Sequence, residues 1–318
     1  MTMGLKRHED ASPLHRKEGD RMRIGFVGAG KVGFSLGKYM TEREICVSGY
    51  YSLHPDSARL ASEFTHTRYF LHLEDLVRAS DAVFLTVPDG AVNSVWNSLK
   101  RSDLQGKFIC HCSGSLSSAI FSGIDRTGAF GYSIHPLFAV NDRLQSYKEL
   151  SHAFFTIEGS AEHIQLWEKM FTGFGNSVRI ISAEDKTLYH ASAVCVSNLV
   201  IGLYEVAVRL LSSCGFEPEE ARKALGPLFI HNAQALAARG CEAALTGPVE
   251  RADLSTIEDH LNVLSGNERE IYIRLSEILV DIAKRKHPEK SYGNISELLA
   301  KAPETERNGK NEKDNSNI

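Results

Sequence analysis

The feature that most constrains the fold is a glycine-rich turn between an apolar run and a helix-forming run. Residues 23–28 read RIGFVG, the pattern of a buried strand, and residues 28–33 read GAGKVG. The first glycine permits a tight turn, the second lets another group approach the backbone, and the third lets helix and strand pack closely. A strand, a glycine turn and a helix in this order predict the first unit of a doubly wound α/β sheet.

Short strand-type runs alternate with helical runs throughout the first half. The strand-type runs are RIGFVG (23–28), ICVSGYY (45–51), AVFLTV (82–87), KFICHC (107–112), AFGYSI (129–134), HAFFTI (152–157) and SVRIIS (177–182). Helices are predicted between them, notably over 31–42, 56–64, 89–100 and 161–173. Apolar strands that alternate with helices imply a parallel sheet covered on both faces.

After residue 183 no convincing strand follows. Helices are predicted over 185–213, 217–239, 254–264, 268–286 and 293–301. We therefore expect a Rossmann-type domain over 22–182 and an all-helical domain over 183–302. The charged segments 1–21 and 303–318 have little to bury and are expected to be disordered.

Composition excludes several classes of protein and partner. The 318 residues are 42% hydrophobic and carry a formal net charge of −4, which gives no general attraction to nucleic acid or to an anionic membrane. The most apolar stretch, 191–211, contains Glu205 and Arg209, which are costly in lipid, so no membrane span is expected. Residues 1–21 lack the apolar region of a secretory signal.

The six cysteines are scattered, which predicts free thiols and a reducing, cytoplasmic location. Cys110 and Cys112 would point to opposite faces of one strand, so they are poor disulfide partners. The histidines and cysteines show no metal-ligand spacing, so no metal is expected.

The glycine turn predicts a site for the pyrophosphate of a nicotinamide dinucleotide. The free N–H groups and the positive dipole end of the following helix favour a phosphate there. The residues expected to contact the cofactor are Gly28, Ala29, Gly30, Lys31, Val32 and Gly33.

The end of the second strand-type run bears on the choice between NAD and NADP. An NAD site usually has Asp or Glu at this point, whereas this chain reads Tyr51-Ser52-Leu53-His54. The candidates to surround a 2′-phosphate are Ser52, His54, Ser57 and Arg59. This set favours NADP, and the alternative is that these residues cap the helix that starts at Pro55.

Further contacts are expected where other strand-type runs end, because doubly wound sheets bind ligands beyond the carboxyl ends of their strands. Val87 and Pro88 follow one such run, and Asp89 is expected first as a helix N-cap and second as a cofactor contact. Ser113 and Gly114 follow another run, where a hydroxyl and backbone N–H groups are available to a substrate carboxylate.

Together with several later segments, these motifs resemble a known group of oxidoreductases. The segments are the glycine turn, Tyr51-Ser52, Val87-Pro88-Asp89, His111-Cys112-Ser113-Gly114-Ser115, Ser133-Ile134-His135-Pro136-Leu137, Tyr189-His190-Ala191 with Asn198, and Leu245-Thr246-Gly247-Pro248 followed by Arg251, Asp253 and His260. Over about 22–300 the chain resembles Rossmann-like oxidoreductases with a C-terminal helical domain of unknown function. These are related to pyrroline-5-carboxylate reductase and to the 6-phosphogluconate dehydrogenase-like superfamily.

The resemblance implies an NADP-type cofactor, a cleft between two domains and a homodimer built through the helical domain. One departure is Leu53, where such proteins commonly carry an arginine that binds the 2′-phosphate. The phosphate contact would then fall to His54 or Arg59.

Hydride transfer is the chemistry of the nicotinamide, so the protein must position the substrate and manage one proton, a task that suits histidine. His190, early in the helix over 185–213, is one candidate. His135, whose direction Pro136 restricts, resembles the His-Pro segment of prephenate dehydrogenases. For both, a buried structural histidine is the alternative, and His111 inside a strand is expected to be a core or wall residue.

In the related β-hydroxyacid dehydrogenases, the equivalent helix carries a catalytic lysine a few residues before an asparagine. Asn198 matches that asparagine, and the lysine position is then occupied by Val194 or Cys195. A lysine-based mechanism is therefore not expected, and His190 is the candidate in its place.

Arg251 is a candidate to bind a substrate carboxylate or phosphate. The alternative is an ion pair with Asp253 that holds the loop. Ser255 and Glu258 have the spacing of a capping box.

The sequence thus predicts an NADP-dependent dehydrogenase or reductase for a small polar substrate, such as a carboxylate-bearing imine or ketone. A prephenate-dehydrogenase-like enzyme and an NADP(H)-binding sensor or scaffold without turnover stay open as alternatives. A deazaflavin electron partner is a further alternative by superfamily analogy. The expected partners are a small molecule and a second copy of the chain, with neither nucleic acid nor membrane.

Overall fold

The computed structural model describes residues 21–301, which form two compact units, the first ending at Leu199 and the second beginning at Val200. The segments expected to be disordered, 1–21 and 303–318, lie almost entirely outside the described residues. The two units divide inside a long helix rather than at the point where the sequence pattern changes.

An eight-stranded sheet forms the centre of the first unit. Its strands are β1 (Arg23–Val27), β2 (Cys46–Tyr51), β3 (Arg68–Phe70), β4 (Ala82–Leu85), β5 (Phe108–His111), β6 (Phe130–Leu137), β7 (Phe154–Gly159) and β8 (Ser177–Ile180). They lie in the order β3-β2-β1-β4-β5-β6-β7-β8. The strand order reverses between β1 and β4, and sheets of this kind bind their ligands at such a switch point.

Helices cover both faces of this sheet. They are α1 (Lys31–Thr41), α2 (Pro55–Thr65), α3 (Leu73–Ala79), α4 (Asp89–Leu99) and α5 (Ile164–Gly173). One buried cluster contains Phe34 and Trp167 from α1 and α5, and a separate one contains Leu76 and Trp96 from α3 and α4. The predicted doubly wound architecture is confirmed, although β3 and α3 were not predicted.

The sheet is parallel except between β6 and β7, which pair antiparallel. The expectation of a parallel sheet is wrong at this one pair. The connection contains only short 3-10 turns, Ser146–Lys148 and Leu150–His152, and no crossover α-helix. A parallel connection needs a crossover, so β7 runs back along β6.

The antiparallel pair gathers polar side chains on one face of the sheet. Ser133 lies opposite Glu158, and His135 lies opposite Thr156. Residues two apart on a strand share a face, and directly opposite residues share it as well, so all four side chains project to the same side. This face becomes the floor of the candidate site.

Helices alone follow Ile180 among the described residues. They are α6 (Lys186–Ser213), α7 (Pro218–Ala244), α8 (Pro248–Arg251), α9 (Leu254–Val263), α10 (Gly266–Lys286) and α11 (Gly293–Lys301). Gly215, with φ of 93°, follows α6, and Pro218 occupies the first turn of α7. Glycine is favoured just after a helix and proline in its first turn, so both residues define the break between the two helices. The all-helical character of this half is therefore confirmed.

The helix α6 differs from a normal core helix because most of its apolar side chains are exposed, including Val196, Leu199 and Ile201. It is 28 residues long and apolar enough to cross a membrane by length and composition. One such helix is weak evidence for a membrane segment, since a helix that packs against another protein surface has the same composition.

All six cysteines are free. Cys110 is buried in the sheet, whereas Cys46, Cys195, Cys214 and Cys241 are exposed. The prediction of free thiols is therefore confirmed.

Candidate cofactor and substrate site

The glycine turn after β1 has the geometry that its pattern predicts. Gly28 has φ of 104°, and its carbonyl accepts a hydrogen bond from Thr86 Oγ1 at 2.8 Å. A Cβ on Gly33 would lie 2.4 Å from the Gly28 carbonyl oxygen, so only glycine fits there. Gly30 is exposed, and a Cβ on it would meet nothing within 4 Å. The turn is thus packed on one side and open at Gly30, which fits a pyrophosphate.

The residues after β2 are held by local contacts. Ser52 Oγ accepts a hydrogen bond from the His54 backbone N–H at 3.2 Å, and His54 is the N-cap residue of α2. Arg59 forms ion pairs with Asp56 and Glu63. Although these contacts are local, no side chain within the described residues makes a capping hydrogen bond to α2. No carboxylate stands between Tyr51 and His54.

Asp89 takes a different position from the one expected. Pro88 is the N-cap residue of α4, and Asp89 is the first helical residue, so the N-cap prediction is wrong. The strand β4 ends at Leu85, and the backbone of Pro88 is extended. Pro88 is therefore the last non-helical residue, and α4 begins at Asp89. The Asp89 carboxylate instead accepts hydrogen bonds from Ser113 Oγ at 2.7 Å and from Ser115 Oγ at 2.9 Å.

The Ser113 hydroxyl supports the loop after β5. Besides donating to Asp89, it accepts hydrogen bonds from the backbone N–H groups of Ser115 and Leu116 at 3.2 and 3.0 Å. A hydroxyl has one donor and two acceptor positions, so this one is fully used. Ser113 therefore shapes the loop rather than offering its hydroxyl to a ligand.

Gly114 is the point where the two candidate histidines meet. A Cβ there would lie 2.9 Å from His135 Nε2 and 2.9 Å from His190 Cδ2. The structure therefore brings His135 from β6 and His190 from α6 together around one glycine. The absence of a side chain at Gly114 leaves the space that these imidazoles border.

Lys186, the first residue of α6, is a further residue of the site that was not predicted from the sequence. Its side chain is only 2% exposed. Nζ donates to the carbonyl of Ser113 at 3.0 Å and to Ser133 Oγ at 2.8 Å. Lys186 lies four residues before His190, so the two share a helix face. The sequence signal for Lys186 is its position one helical turn before His190, whereas the lysine of the related dehydrogenases is expected a few residues before Asn198.

Burial controls the charges in this cluster. It lowers the pKa of Lys186 to about 8, against the attraction of Glu158 and Asp89, which favours the charged form. Burial, together with the nearby Lys186 charge, lowers the pKa of His135 to about 3. At neutral pH the lysine is therefore mostly a cation and the imidazole of His135 is neutral.

His111 is buried, as expected, and holds the same loop. Burial lowers its pKa to about 4, so the ring is neutral. Its Nδ1 accepts a hydrogen bond from the Ser113 N–H at 3.2 Å, which leaves Nε2–H to donate to the Ser117 carbonyl at 3.2 Å. These contacts make His111 a structural residue of the site.

Two further candidates, Asn198 and Arg251, make contacts with residues close to them in the sequence. Asn198 is exposed, and its Oδ1 accepts a hydrogen bond from Ser197. It lies about 12 Å beyond His190 along the helix axis, at 1.5 Å per residue. Arg251, in the second unit, pairs with Asp253 at 3.8 Å, as its alternative interpretation states.

The prediction of a capping box at Ser255 is wrong, because Asp253 caps this helix. Asp253 is the N-cap residue of α9, and its carboxylate accepts hydrogen bonds from the Thr256 N–H and the Thr256 hydroxyl. The helix begins at Leu254, so Ser255 is inside the first turn. Within residues 21–301, no group of three or more His, Cys, Asp or Glu side chains is arranged to hold a metal ion.

Two family models match the chain. The model of a Rossmann-like domain matches residues 8–136, and the model of a domain of unknown function, DUF2520, matches residues 153–278. These are the two parts that the sequence motifs implied, so the stated resemblance is confirmed. No curated protein matches the sequence.

Similar solved structures share the fold. A Thermotoga maritima protein is 24% identical with a TM-score of 0.68, covering 83% of this chain and 99% of its own. A Bacteroides fragilis protein described as a "putative NADP oxidoreductase" is 20% identical with a TM-score of 0.63, covering 82% and 98%. Plasmodium falciparum pyrroline carboxylate reductase with NADP bound is 14% identical with a TM-score of 0.54, covering 83% and 98%. The fold is therefore one that nicotinamide-dependent oxidoreductases use.

Proposed function

We propose that this chain, a Rossmann-like domain followed by a DUF2520 domain, is an oxidoreductase that uses NADP to reduce or oxidise a small carbonyl or imine substrate bearing a carboxylate. The observation that carries the proposal is the buried ammonium group of Lys186 beside Gly114. A buried charge is costly, and such groups cluster at functional sites.

The glycine turn and the lysine cluster lie at one edge of the sheet. Gly30 follows β1, Asp89 follows β4 and Gly114 follows β5, and these strands are neighbours that run parallel. The carboxyl ends of parallel strands meet at one edge, so a dinucleotide held at Gly30 extends along the edge that carries Gly114. The bound cofactor supplies or accepts the hydride.

Lys186 is the group that we propose exchanges the proton. An ammonium has three N–H donors, and Ser113 and Ser133 take two of them. The third is free to donate to a substrate oxygen or nitrogen. In reduction, the substrate carbon receives the hydride, its oxygen or nitrogen receives a proton from Nζ, and the neutral lysine regains a proton from solvent.

His190 and Ser113 have supporting roles in this proposal. His190 borders the space at Gly114 and contacts the substrate there. Ser113 orients the lysine through its carbonyl. Arg251 and Asn198 have no role in this proposal, because their side chains contact Asp253 and Ser197.

The proposal of NADP over NAD rests on the segment after β2. No Asp or Glu is present from Tyr51 to His54 to bind free ribose hydroxyls. Two of the similar structures, from Bacteroides fragilis and Plasmodium falciparum, carry NADP in their descriptions.

The experiment is a turnover screen of the purified chain with NADPH or NADP⁺ and a panel of 2-oxo acids, cyclic imino acids, 2-hydroxy acids and amino acids. We expect turnover in the panel. Lys186→Met is expected to lose at least a hundredfold in kcat while binding NADPH with unchanged Kd. Lys169→Met, at an exposed lysine of α5, is the control.

The pH dependence of kcat distinguishes Lys186 from a histidine as the group that exchanges the proton. Reduction needs the protonated lysine, so kcat is expected to fall as pH rises through about 8, and oxidation is expected to show the opposite trend. Failure to bind either dinucleotide would overturn the proposal. Binding without turnover of any panel member would favour a sensor instead.

We also propose that two copies of the chain associate through the helical half. Ile201, Phe229 and Ile230 line an apolar groove of about 340 Å³ between α6 and α7, and all three are exposed in the single chain. Exposed apolar surface of this kind is typical of an interface. Ile201→Glu is expected to convert a dimer into a monomer in light scattering, whereas Leu71→Glu, at an exposed leucine of the first unit, is not. A monomeric wild-type chain would contradict this.

A further inference from the structure

We infer that Tyr189 holds His135 as a neutral imidazole that donates a hydrogen bond to the substrate through Nε2, rather than exchanging a proton with it. For the substrate the inference rests on the proposed function, but the state of the ring is testable without any substrate. It also makes Tyr189 a positioning residue of the site.

The geometry starts from the sheet. His135 and Thr156 are directly opposite on the antiparallel strands β6 and β7, with Thr156 buried. Tyr189 comes from the first turn of α6, and its Oη lies 2.7 Å from His135 Nδ1. The two rings meet edge to face with centroids 5.7 Å apart. One nitrogen of His135 is therefore fixed by the protein, and the other is left for a ligand.

The direction of this hydrogen bond follows from the phenol. Burial raises the pKa of Tyr189, so the phenol keeps its proton. A phenol is a stronger hydrogen-bond donor than a neutral imidazole N–H, and the unprotonated imidazole nitrogen is the stronger acceptor. The Tyr189 hydroxyl therefore donates its hydrogen bond to His135 Nδ1. A neutral imidazole that accepts at Nδ1 carries its hydrogen on Nε2.

The surrounding charges keep the ring neutral. Burial has the largest effect, and Lys186 and His190 on α6 and His111 on β5 also disfavour a second proton. Asp89, on α4, is the one charge in this set that favours protonation. Because Lys186 is the nearby cation, a charged imidazole beside it would be repelled. His135 is therefore a hydrogen-bond donor of constant charge.

The free nitrogen points to the space beside Gly114. A Cβ at Gly114 would lie 2.9 Å from Nε2, which is hydrogen-bond distance for an oxygen in nearly the same place. A donor at this position selects an oxygen acceptor, such as a ketone or carboxylate oxygen. It rejects an ammonium group, which has only donors. The inference thus narrows the substrate to one that presents oxygen to His135.

The first test is the tautomer of His135, read from long-range ¹H–¹⁵N spectra of the full chain without substrate. His135→Gln assigns the signal, and His152→Gln, at an exposed histidine, is the matched control. We expect a single neutral Nε2–H tautomer that does not change between pH 8 and pH 5. An Nδ1–H tautomer, or a ring that gains a proton in this range, would overturn the inference.

The second test uses the isosteric variants Tyr189→Phe and Thr156→Val. Tyr189→Phe removes the donor to Nδ1, so both neutral tautomers are expected to appear. Thr156→Val, at a buried hydroxyl that makes no hydrogen bond within the described part of the chain, is the matched control and is expected to keep the single tautomer. A purely packing role for Tyr189 would leave the tautomer unchanged in Tyr189→Phe and would contradict the inference. Thermal unfolding of both variants shows whether the fold is retained.

Turnover separates this inference from the proposed function. With a substrate in hand, Tyr189→Phe is expected to lower kcat/KM about tenfold while the fall in rate near pH 8 stays in place, since Lys186 is unchanged. A chain with the expected tautomer but no turnover would leave the state of the ring established and the proposed function wrong. A pH profile that moves in Tyr189→Phe would assign the proton transfer to His135 instead.

Discussion

Lys186 and His190 lie one turn apart on α6 and contact two consecutive residues of the loop after β5. Lys186 Nζ donates to the carbonyl of Ser113, and His190 Cδ2 borders Gly114. Because residues four apart share a helix face, one helix end thereby sets the position of a cation and an imidazole together. His111 on β5 also stabilises this loop, because its Nδ1 accepts a hydrogen bond from the Ser113 N–H.

The buried lysine gives a stability prediction that needs no substrate. The pKa of Lys186 is lowered from 10.5 to about 8 in the folded chain. At a pH where the lysine is charged in both the folded and the unfolded chain, burial of this charge therefore lowers the free energy of unfolding. Between pH 8 and pH 10.5 the folded lysine loses its proton before the unfolded one. The free energy of unfolding of the wild type, relative to Lys186→Met, is therefore expected to rise by about 3 kcal/mol over this range.

Urea unfolding at several pH values measures this difference. The comparison with Lys186→Met cancels the titration of tyrosines and cysteines that both proteins share. Lys169→Met, at an exposed lysine, is expected to show no such trend. A flat difference between pH 8 and pH 10.5 would mean that Lys186 is not a perturbed group.

Gly114 gives a prediction about the space between the two histidines. In Gly114→Ala the new methyl group would lie 2.9 Å from His135 Nε2 and from His190 Cδ2, closer than real contacts allow. Both rings must move, so turnover is expected to fall at least tenfold while NADPH binding, measured by fluorescence, is kept. Gly173→Ala, where a Cβ meets nothing within 4 Å, is the control. Normal turnover in Gly114→Ala would place the substrate elsewhere.

Most of the fold follows from the sequence because its signals are local. The glycine turn, the apolar strands and helix ends such as Gly215 and Pro218 depend on neighbouring residues, and the structure agrees with them. The direction of β7 depends on the whole connection from β6. Because this connection contains no crossover helix, β7 pairs antiparallel to β6. The three-residue strand β3 carries too short a pattern to be recognised.

The candidate site was only partly predictable. His135, His190 and Gly114 stand beside recognisable motifs, and the structure brings them together. Lys186 carries no local sign of burial, since a lysine at a helix start is usually exposed. Its burial results from the polar face that β6 and β7 form beneath it, a consequence of strand register. The roles of Ser113 and Asp89 in bracing the loop also depend on contacts between distant segments.

The glycine turn allows binding and folding to be separated. Gly30→Ala adds a methyl group that meets nothing within the protein but stands where the pyrophosphate would approach the backbone. We expect a tenfold or greater loss of NADPH affinity with an unchanged Tm. Gly33→Ala is the contrasting variant, because its methyl group would collide with the Gly28 carbonyl and lower the Tm. Unchanged NADPH affinity in Gly30→Ala would argue against a dinucleotide at this turn.

The choice of NADP is tested at the end of β2. Ser52 stands near the position where NAD-binding proteins place an acid, and its hydroxyl is held by the His54 N–H. Ser52→Asp introduces a carboxylate that repels a 2′-phosphate and accepts hydrogen bonds from free ribose hydroxyls. We expect the NADPH Kd, measured by titration calorimetry, to rise at least tenfold while the NADH Kd falls or stays the same. Ser57→Asp, in the first turn of α2, is the comparison that reports how local the phosphate site is. Tighter binding of NADH than NADPH by the wild-type chain would show that NAD is the cofactor and that the residues from Ser52 to Arg59 serve only to hold α2.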